Sequence, residues 1–327
     1  MERFTDRIII ENFKSIRRIE LEDCRRINLL IGKPNVGKSN ILEAFSSFCL
    51  PYARHLKNKS IQQFIRTESE AELFFNGDIH KDILITVGEN SFRFSFNNDS
   101  SLMKLSGLIN DEQVIEVSKL NIKSSGFNQP EEIKINSYFF NIPFRFEDTP
   151  LRFLQPTNGC NLYRVLKPLS DLTSEISNVL AEYRLKLSFE STGNQLKFWK
   201  ELPSGEIFTV PFNSMADTLQ RMIFYKTAIA SNKNSIITFE EPEANSYPPY
   251  ISKLTADILY SISNQFFITT HSPYVVNDFL EENGNELAIY LVDYREGETV
   301  VRRLTDEELN QVYNNGIDLF FNNEIFQ

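Results

Sequence analysis

The sequence predicts an α/β fold: a parallel core sheet assembled from both ends of the chain, with an antiparallel β lobe and a helical segment inserted between them. Three observations point to it. The run Ile27-Asn28-Leu29-Leu30-Ile31 is apolar at nearly every position, as expected of a strand covered on both faces, and it leads through a glycine into an amphipathic helix. From about residue 70 to 210 the pattern changes to two-residue alternation, the mark of half-exposed antiparallel strands. After residue 210 strands and helices alternate again. The 327 residues therefore read as one head, its core drawn from 1–65 and 205–327 and its insertion from about 66–204.

Taken in order, Ile8-Ile9-Ile10-Glu11 and Ile19-Glu20-Leu21 form short strands ahead of the 27–31 strand. A helix is expected from about Lys38 to Lys57, because Ile41, Leu42, Phe45, Phe48 and Cys49 recur at three- and four-residue spacing. Phe92-Arg93-Phe94-Ser95-Phe96, Ile133-Lys134-Ile135 and Leu185-Lys186-Leu187-Ser188-Phe189 alternate as antiparallel strands, and their aromatic residues read as core. One helix interrupts them, with Leu169, Leu172, Ile176, Val179, Leu180 and Tyr183 on one face, and Pro203-Ser204-Gly205-Glu206 reads as a hairpin turn. Beyond residue 210 come a helix near 216–230, the strand Ile236-Ile237-Thr238-Phe239 and a helix carrying Ile251, Leu254, Ile258, Leu259 and Ile262. The strands Phe266 to Thr270 and Ala288 to Val292 follow, then a polar tail.

Composition removes several function classes. With 41% hydrophobic and 24% charged residues the chain is neither disordered nor fibrous. No apolar stretch approaches the roughly 20 residues that span a bilayer. The opening Met1-Glu2-Arg3-Phe4-Thr5-Asp6-Arg7 lacks the apolar middle of a signal peptide, so a cytoplasmic protein without membrane contact is expected. Three cysteines (Cys24, Cys49, Cys160) without CxxC spacing support neither a disulfide framework nor a zinc site, and read as buried thiols. A net charge of −10 opposes a surface that embraces DNA. Only the pairs Arg17-Arg18, Arg25-Arg26 and Arg302-Arg303 could make a local patch, and such pairs are ordinarily solvated strand or loop ends.

Gly32-Lys33-Pro34-Asn35-Val36-Gly37-Lys38-Ser39 fits GxxxxGK[ST]. Lying between a buried strand and a helix, its backbone N–H groups and the helix N-terminus can cradle a polyphosphate, and the setting outweighs a bare glycine turn. The candidate ATP ligands are these eight residues with Asn40; Lys38 would neutralise the β- and γ-phosphates and Ser39 would ligate Mg²⁺. Small GTPases share this loop wording, but the chain has no DxxG, and its Asn-Lys pairs at Asn58 and Asn232 do not continue as NKxD. ATP is therefore the expected nucleotide.

The strand 236–239 ends in Glu240-Glu241-Pro242-Glu243. By itself an acidic run is a solvated loop; after four buried residues and downstream of a phosphate loop it supplies what phosphoryl hydrolysis needs. Glu240 takes the metal side with Ser39, and Glu241 is the base that orients water. The strand 266–270 leads into His271-Ser272-Pro273, and His271 could donate to the γ-phosphate or the attacking water. A lone histidine is usually structural, but at the end of a parallel strand it falls on the edge where open α/β sheets bind ligands. His55 and His80 have no such setting.

Four segments together carry a family resemblance: Asn12-Phe13-Lys14-Ser15-Ile16; Gly37 to Ala44; Phe239-Glu240-Glu241-Pro242-Glu243-Ala244; and Thr269-Thr270-His271-Ser272-Pro273. In this order they resemble the ABC-type ATPase heads of the SMC, RecF and OLD group, above all stand-alone bacterial AAA-family ATPases similar to OLD proteins. Asn158-Gly159-Cys160-Asn161-Leu162 extends the likeness across most of the chain. The resemblance implies a P-loop NTPase head that hydrolyses ATP as a homodimer, each site completed in trans by a signature segment. Asn213 to Arg221 takes that place, with Ser214 as the trans contact; it lacks the group's glycine, and Asp217 adds a negative charge near phosphate. Asn245 stands where relatives commonly carry histidine, and Gln62 and Gln63 are the candidates for the group's glutamine loop.

The chain shows neither the long heptad repeats of SMC-type heads nor an acidic nuclease domain, since only about 55 residues follow His271. The resemblance thus implies a motor that switches a separate effector, a nuclease or toxin, in phage defence or a DNA-related process. Three alternatives make different demands. A transporter ATPase would need a glycine-rich signature. A nucleotide-gated scaffold would not need Glu241, and a kinase would not need a carboxylate pair aimed at water.

Overall fold

The central sheet is covered on both faces, which is why its strands carry apolar residues at consecutive positions. The computed structural model describes residues 4–97, 104–124, 132–141 and 146–326; Met1 to Arg3 of the opening segment lie outside them. The strands are β1 (Ile8–Phe13), β2 (Ile16–Leu21), β3 (Ile27–Ile31), β4 (Ile83–Val87), β5 (Asn90–Asn97), β6 (Lys104–Ile109), β7 (Glu112–Ser118) and β8 (Asn121–Ser124). Then come β9 (Ile135–Tyr138), β10 (Lys186–Glu190), β11 (Gln195–Glu201), β12 (Ile207–Pro211), β13 (Ile236–Glu240), β14 (Gln265–Thr269), β15 (Leu287–Arg295) and β16 (Glu298–Arg303). The helices are α1 (Lys38–Ser46), α2 (Leu162–Leu166), α3 (Ser170–Ala181), α4 (Asp217–Ser231), α5 (Pro248–Tyr260), α6 (Pro273–Asn283) and α7 (Asp306–Asn315).

The core sheet runs β16-β15-β3-β14-β13-β9, with every pair parallel except β15–β16. Alternate residues feed opposite cores. Leu30, Phe267, Tyr290 and Val292 pack with α1 and a seven-stranded antiparallel sheet. Leu29, Ile31, Phe266, Ile268, Ile289 and Leu291 pack with α4, α5 and α6. Burying a large aliphatic or aromatic side chain is worth about 1.5–3 kcal/mol, so strands loaded on both sides form the most firmly held part of the head. A separate small sheet, β10-β11-β12, carries the predicted hairpin turn, where Gly205 adopts φ +83°.

Several expectations need correcting. β1 and β2 do not join the core sheet; β2 pairs with β1 and β1 with β4 in the antiparallel sheet β2-β1-β4-β5-β6-β7-β8. Their alternation is the reason: Ile8, Ile10 and Ile19 are buried while Arg17 and Arg18 face solvent, so only one face needs a cover. Conversely, the segment read as half-exposed around Ile135 becomes β9, a parallel edge strand buried at all four residues. Two polar residues, Asn136 and Ser137, hid it; Asn136 is accommodated by a hydrogen bond from its Nδ2 to Asn232 Oδ1 at 2.8 Å. The helix expected to reach Lys57 stops at Ser46 and tightens into a 3₁₀ turn over Ser47–His55, around Pro51, which has no N–H to donate. The polar tail holds β16 and α7, the latter opened by a capping box between Thr305 and Glu308.

All six arginines of the basic pairs meet carboxylates: Arg17 with Glu298, Arg18 with Glu11, Arg25 and Arg303 with Asp306, Arg26 with Glu286 and Arg302 with Glu308. Cys49 and Cys160 are buried and Cys24 is half-buried, all as free thiols. Among the described residues no helix is long and apolar enough to cross a membrane.

Candidate functional site

Register brings the site together. Leu30 pairs with Thr269, and Thr269 with Glu240, so β3, β14 and β13 end side by side at one carboxyl edge. The phosphate-loop sequence, the acidic turn and the His271 loop leave the sheet there as neighbours, the edge at which open α/β sheets bind ligands.

In the loop, Lys33, Pro34 and Asn35 form an exposed crest and buried Val36 anchors it. Gly37 sits at φ +98°, and a Cβ there would lie 2.1 Å from Thr299 Oγ1. Gly32 lies equally tight against the β15 backbone, where a Cβ would lie 2.1 Å from Val292 O. Behind the loop runs a hydrogen-bond relay. Asn40 Nδ2 donates to Ser15 Oγ (2.7 Å), Ser15 Oγ pairs with Thr299 Oγ1 (2.7 Å), and Thr299 Oγ1 donates to Val36 O (3.0 Å). Asn40 thus turns its side chain toward the scaffold. Thr299→Val leaves Val36 O without its buried donor and is expected to cost about 1–3 kcal/mol, read as a lowered urea midpoint; an unchanged midpoint would make the relay energetically idle.

Lys38 is buried, and its Nζ donates to the carbonyls of Gly32 and Lys33, both at 2.8 Å. Burial lowers its pKa to about 8, against the pull of Glu241 and Glu240. An ammonium held in a loop by neutral carbonyls alone suits an incoming anion. α1 has no side-chain N-cap, which leaves its first-turn N–H groups available to the same ligand.

A cleft of about 470 Å³ is bordered by Ser39, Gln62, Gln63, Arg66, Asn158, Arg221, Glu240 and Glu241. Glu241 takes a positive φ (+41°), stabilised by hydrogen bonds from its N–H to Thr269 O (3.0 Å) and Oγ1 (3.2 Å). Its carboxylate lies 3.2 Å from His271 Nε2. Burial and the Lys38 charge hold His271 below the usual imidazole range, against the pull of Glu241, so the ring is neutral at pH 7.

Sequence reasoning missed two arginines. Arg66 Nη2 pairs with Glu240 Oε1 at 2.7 Å, and its Nε meets Glu43, a carboxylate only 1% exposed that Lys14 also meets. Arg221 stacks on Phe140, 4.3 Å from the ring centroid, and pairs with Asp217 at 3.0 Å, which neutralises the charge noted in the signature segment. No local pattern marks either residue. Ser214 stands apart: it is exposed in the turn before α4 and does not border the cleft. Asn245 accepts a hydrogen bond at its backbone oxygen from Thr218 Oγ1 (2.9 Å), tying the acidic turn to α4.

The strand order and the loop at its edge define a P-loop NTPase fold of the ABC-type ATPase head class. Residues 27–277 match the family described as "AAA domain, putative AbiEii toxin, Type IV TA system", and the chain belongs to that family. Among solved structures, the SMC head bound to the C-winged helix domain of ScpA matches with TM-score 0.54 at 15% identity, covering 93% of this chain and 99% of that one. The Smc head with an extended coiled coil bound to the C-terminal domain of ScpA, from Pyrococcus furiosus, matches with TM-score 0.55 at 12% identity, covering 95% and 99%. At such identities the likeness is one of fold. No curated protein matches the sequence.

Proposed function

We propose that this chain is a single ATPase head that binds and hydrolyses Mg²⁺·ATP and uses the cycle to switch a separate partner protein. The observation that carries the reading is the shared carboxyl edge of β3, β14 and β13, past which Lys38 and Ser39 open α1, Glu240 and Glu241 start the acidic turn and His271 follows β14. Lys38 exchanges its loop carbonyls for phosphate oxygens, and the chain segment Gly32–Asn40 wraps the anion with backbone N–H groups. Ser39 and Glu240 offer hard oxygen donors on one cleft, a donor set suited to Mg²⁺. When bound, that ion neutralises charge building on the transferred phosphoryl group. Glu241 orients water and accepts its proton at the carboxylate; neutral His271 has a single ring N–H, which serves Glu241 as the ring now stands and the phosphate side only when the ring turns from it.

Ser214 completes the site of a second copy, a role that its exposure permits. The partner in this reading is an effector of toxin or nuclease type in phage defence; the family description, which names a putative toxin of a type IV toxin–antitoxin system, supports only the toxin–antitoxin setting. The SMC heads that share the fold are bound to ScpA in their structures, which supports a protein partner here too.

One observation favours slow turnover, the scaffold reading: Arg66 holds Glu240 Oε1 at 2.7 Å and so weakens the carboxylate as a metal donor while that pair lasts. Phosphate release decides between them. With Mg²⁺, native protein is expected to release phosphate from ATP over many turnovers and much more slowly from GTP. Tight ATP binding without release would favour the scaffold, and equal rates on both nucleotides would remove the preference for adenine.

A further inference from the structure

β14 ends at Thr269, and the sheet's hold weakens there: Thr270 N reaches Leu30 O only at 3.4 Å. Side chains take over. Glu243 Oε1 accepts a hydrogen bond from Thr270 Oγ1 at 2.7 Å and a second from the backbone N–H of His271 at 2.9 Å. Glu241, two residues earlier in the same turn, faces the other end of His271 at 3.2 Å. One turn therefore grips the main chain of His271 with one carboxylate and meets its ring with another. Burial pushes the Glu243 carboxyl up, and its Oε2 has no hydrogen-bond partner, so the acid stands where packing alone would favour an apolar residue.

We propose that Glu243 is a positioning residue that, by holding the His271 backbone, fixes the direction in which imidazole Nε2 faces Glu241. The proposal rests on the reading of Glu241 and His271 as the hydrolytic pair; Glu243 acts only through His271. Among the described residues, the charged and aromatic groups around that ring are Glu241 of the acidic turn, Lys38 of α1, Phe320 of the C-terminal segment and Lys33 of the phosphate loop, which lines the same cavity.

The test uses the full chain with isotope-labelled histidine. The sequence holds only three histidines, so His271→Asn assigns the signal. In Glu243→Ala the ring is freed toward solvent, and its titration midpoint is expected to rise toward the ordinary value of about 6.5. ATP turnover is expected to fall about tenfold or more while affinity for a fluorescent ATP analogue changes less than about threefold, the split of a group that acts on the transition state. Glu243→Gln, whose amide oxygen can accept the same two hydrogen bonds, restores most of both. If Glu243→Ala does not fold by circular dichroism, Thr270→Val removes one of the two donors and is expected to move the midpoint the same way. An unmoved His271 midpoint, or parallel losses of affinity and turnover in the Ala and Gln variants alike, overturns the proposal. A native chain that releases no phosphate would defeat the hydrolytic reading alone, and the titration would still decide the positioning role.

Discussion

Glu241→Gln is expected to lower phosphate release from ATP by about 10²-fold or more while leaving the nucleotide bound, the range for loss of a positioned general base. The amide keeps the shape of the side chain and can still face His271, but it cannot take a proton from water. The backbone of the residue is set by its two hydrogen bonds to Thr269, which the substitution does not touch, so the loss reports chemistry rather than misfolding. A head that hydrolyses only as a nucleotide sandwich should then stall closed. Light scattering of Glu241→Gln with ATP and Mg²⁺ is expected to give twice the monomer mass. Equal phosphate release in native and variant protein would take Glu241 out of the mechanism, and a monomer throughout saturating ATP would count against the sandwich.

The second large effect is on stability. Glu43→Ala is expected to cost about 3–5 kcal/mol, the range for breaking a buried ion pair by removing one partner. The Glu43 carboxylate is 1% exposed and meets both Lys14 and Arg66, so its loss leaves Lys14, whose side chain is itself only 12% exposed, with no carboxylate and only the Arg66 carbonyl (2.6 Å) to hold its charge. Arg66→Ala is expected to cost less, because 61% of the Arg66 side chain is in water, where an ion pair contributes little. Urea denaturation of the three proteins checks the order. A midpoint for Glu43→Ala equal to native would mean that the pair adds nothing net.

What could be read from the sequence was whatever depends on local pattern. β3, β13, β14 and β15 announce themselves because burial on both faces forces runs of apolar residues, and the loops that follow them carry the candidate site. The same criterion failed for β9, whose Asn136 and Ser137 look solvent-facing until the partner Asn232, 96 residues away, is in place. It also misassigned β1 and β2, since a short strand with Ile on both sides of its pleat gives no sign of which sheet it joins. Arg66 and Arg221 were invisible for a related reason. Their positions in the cleft depend on elements distant in sequence, Arg66 on Glu43 and Glu240 and Arg221 on Phe140; the helical spacing of Arg221 and Asp217 shows their pairing but not the ring on which Arg221 stacks. Glu243 lay in plain view in the acidic run, but its partners Thr270 and His271 come only with the parallel register of β13 and β14.

The relay behind the phosphate loop joins Ser15, near the start of the chain, to Thr299, near its end, and Thr299 N also donates to Ser15 O at 2.8 Å. During synthesis, then, the loop is made long before β16, and the contacts of Thr299 with Ser15 and Val36 can close only once that last strand of the core sheet has left the ribosome.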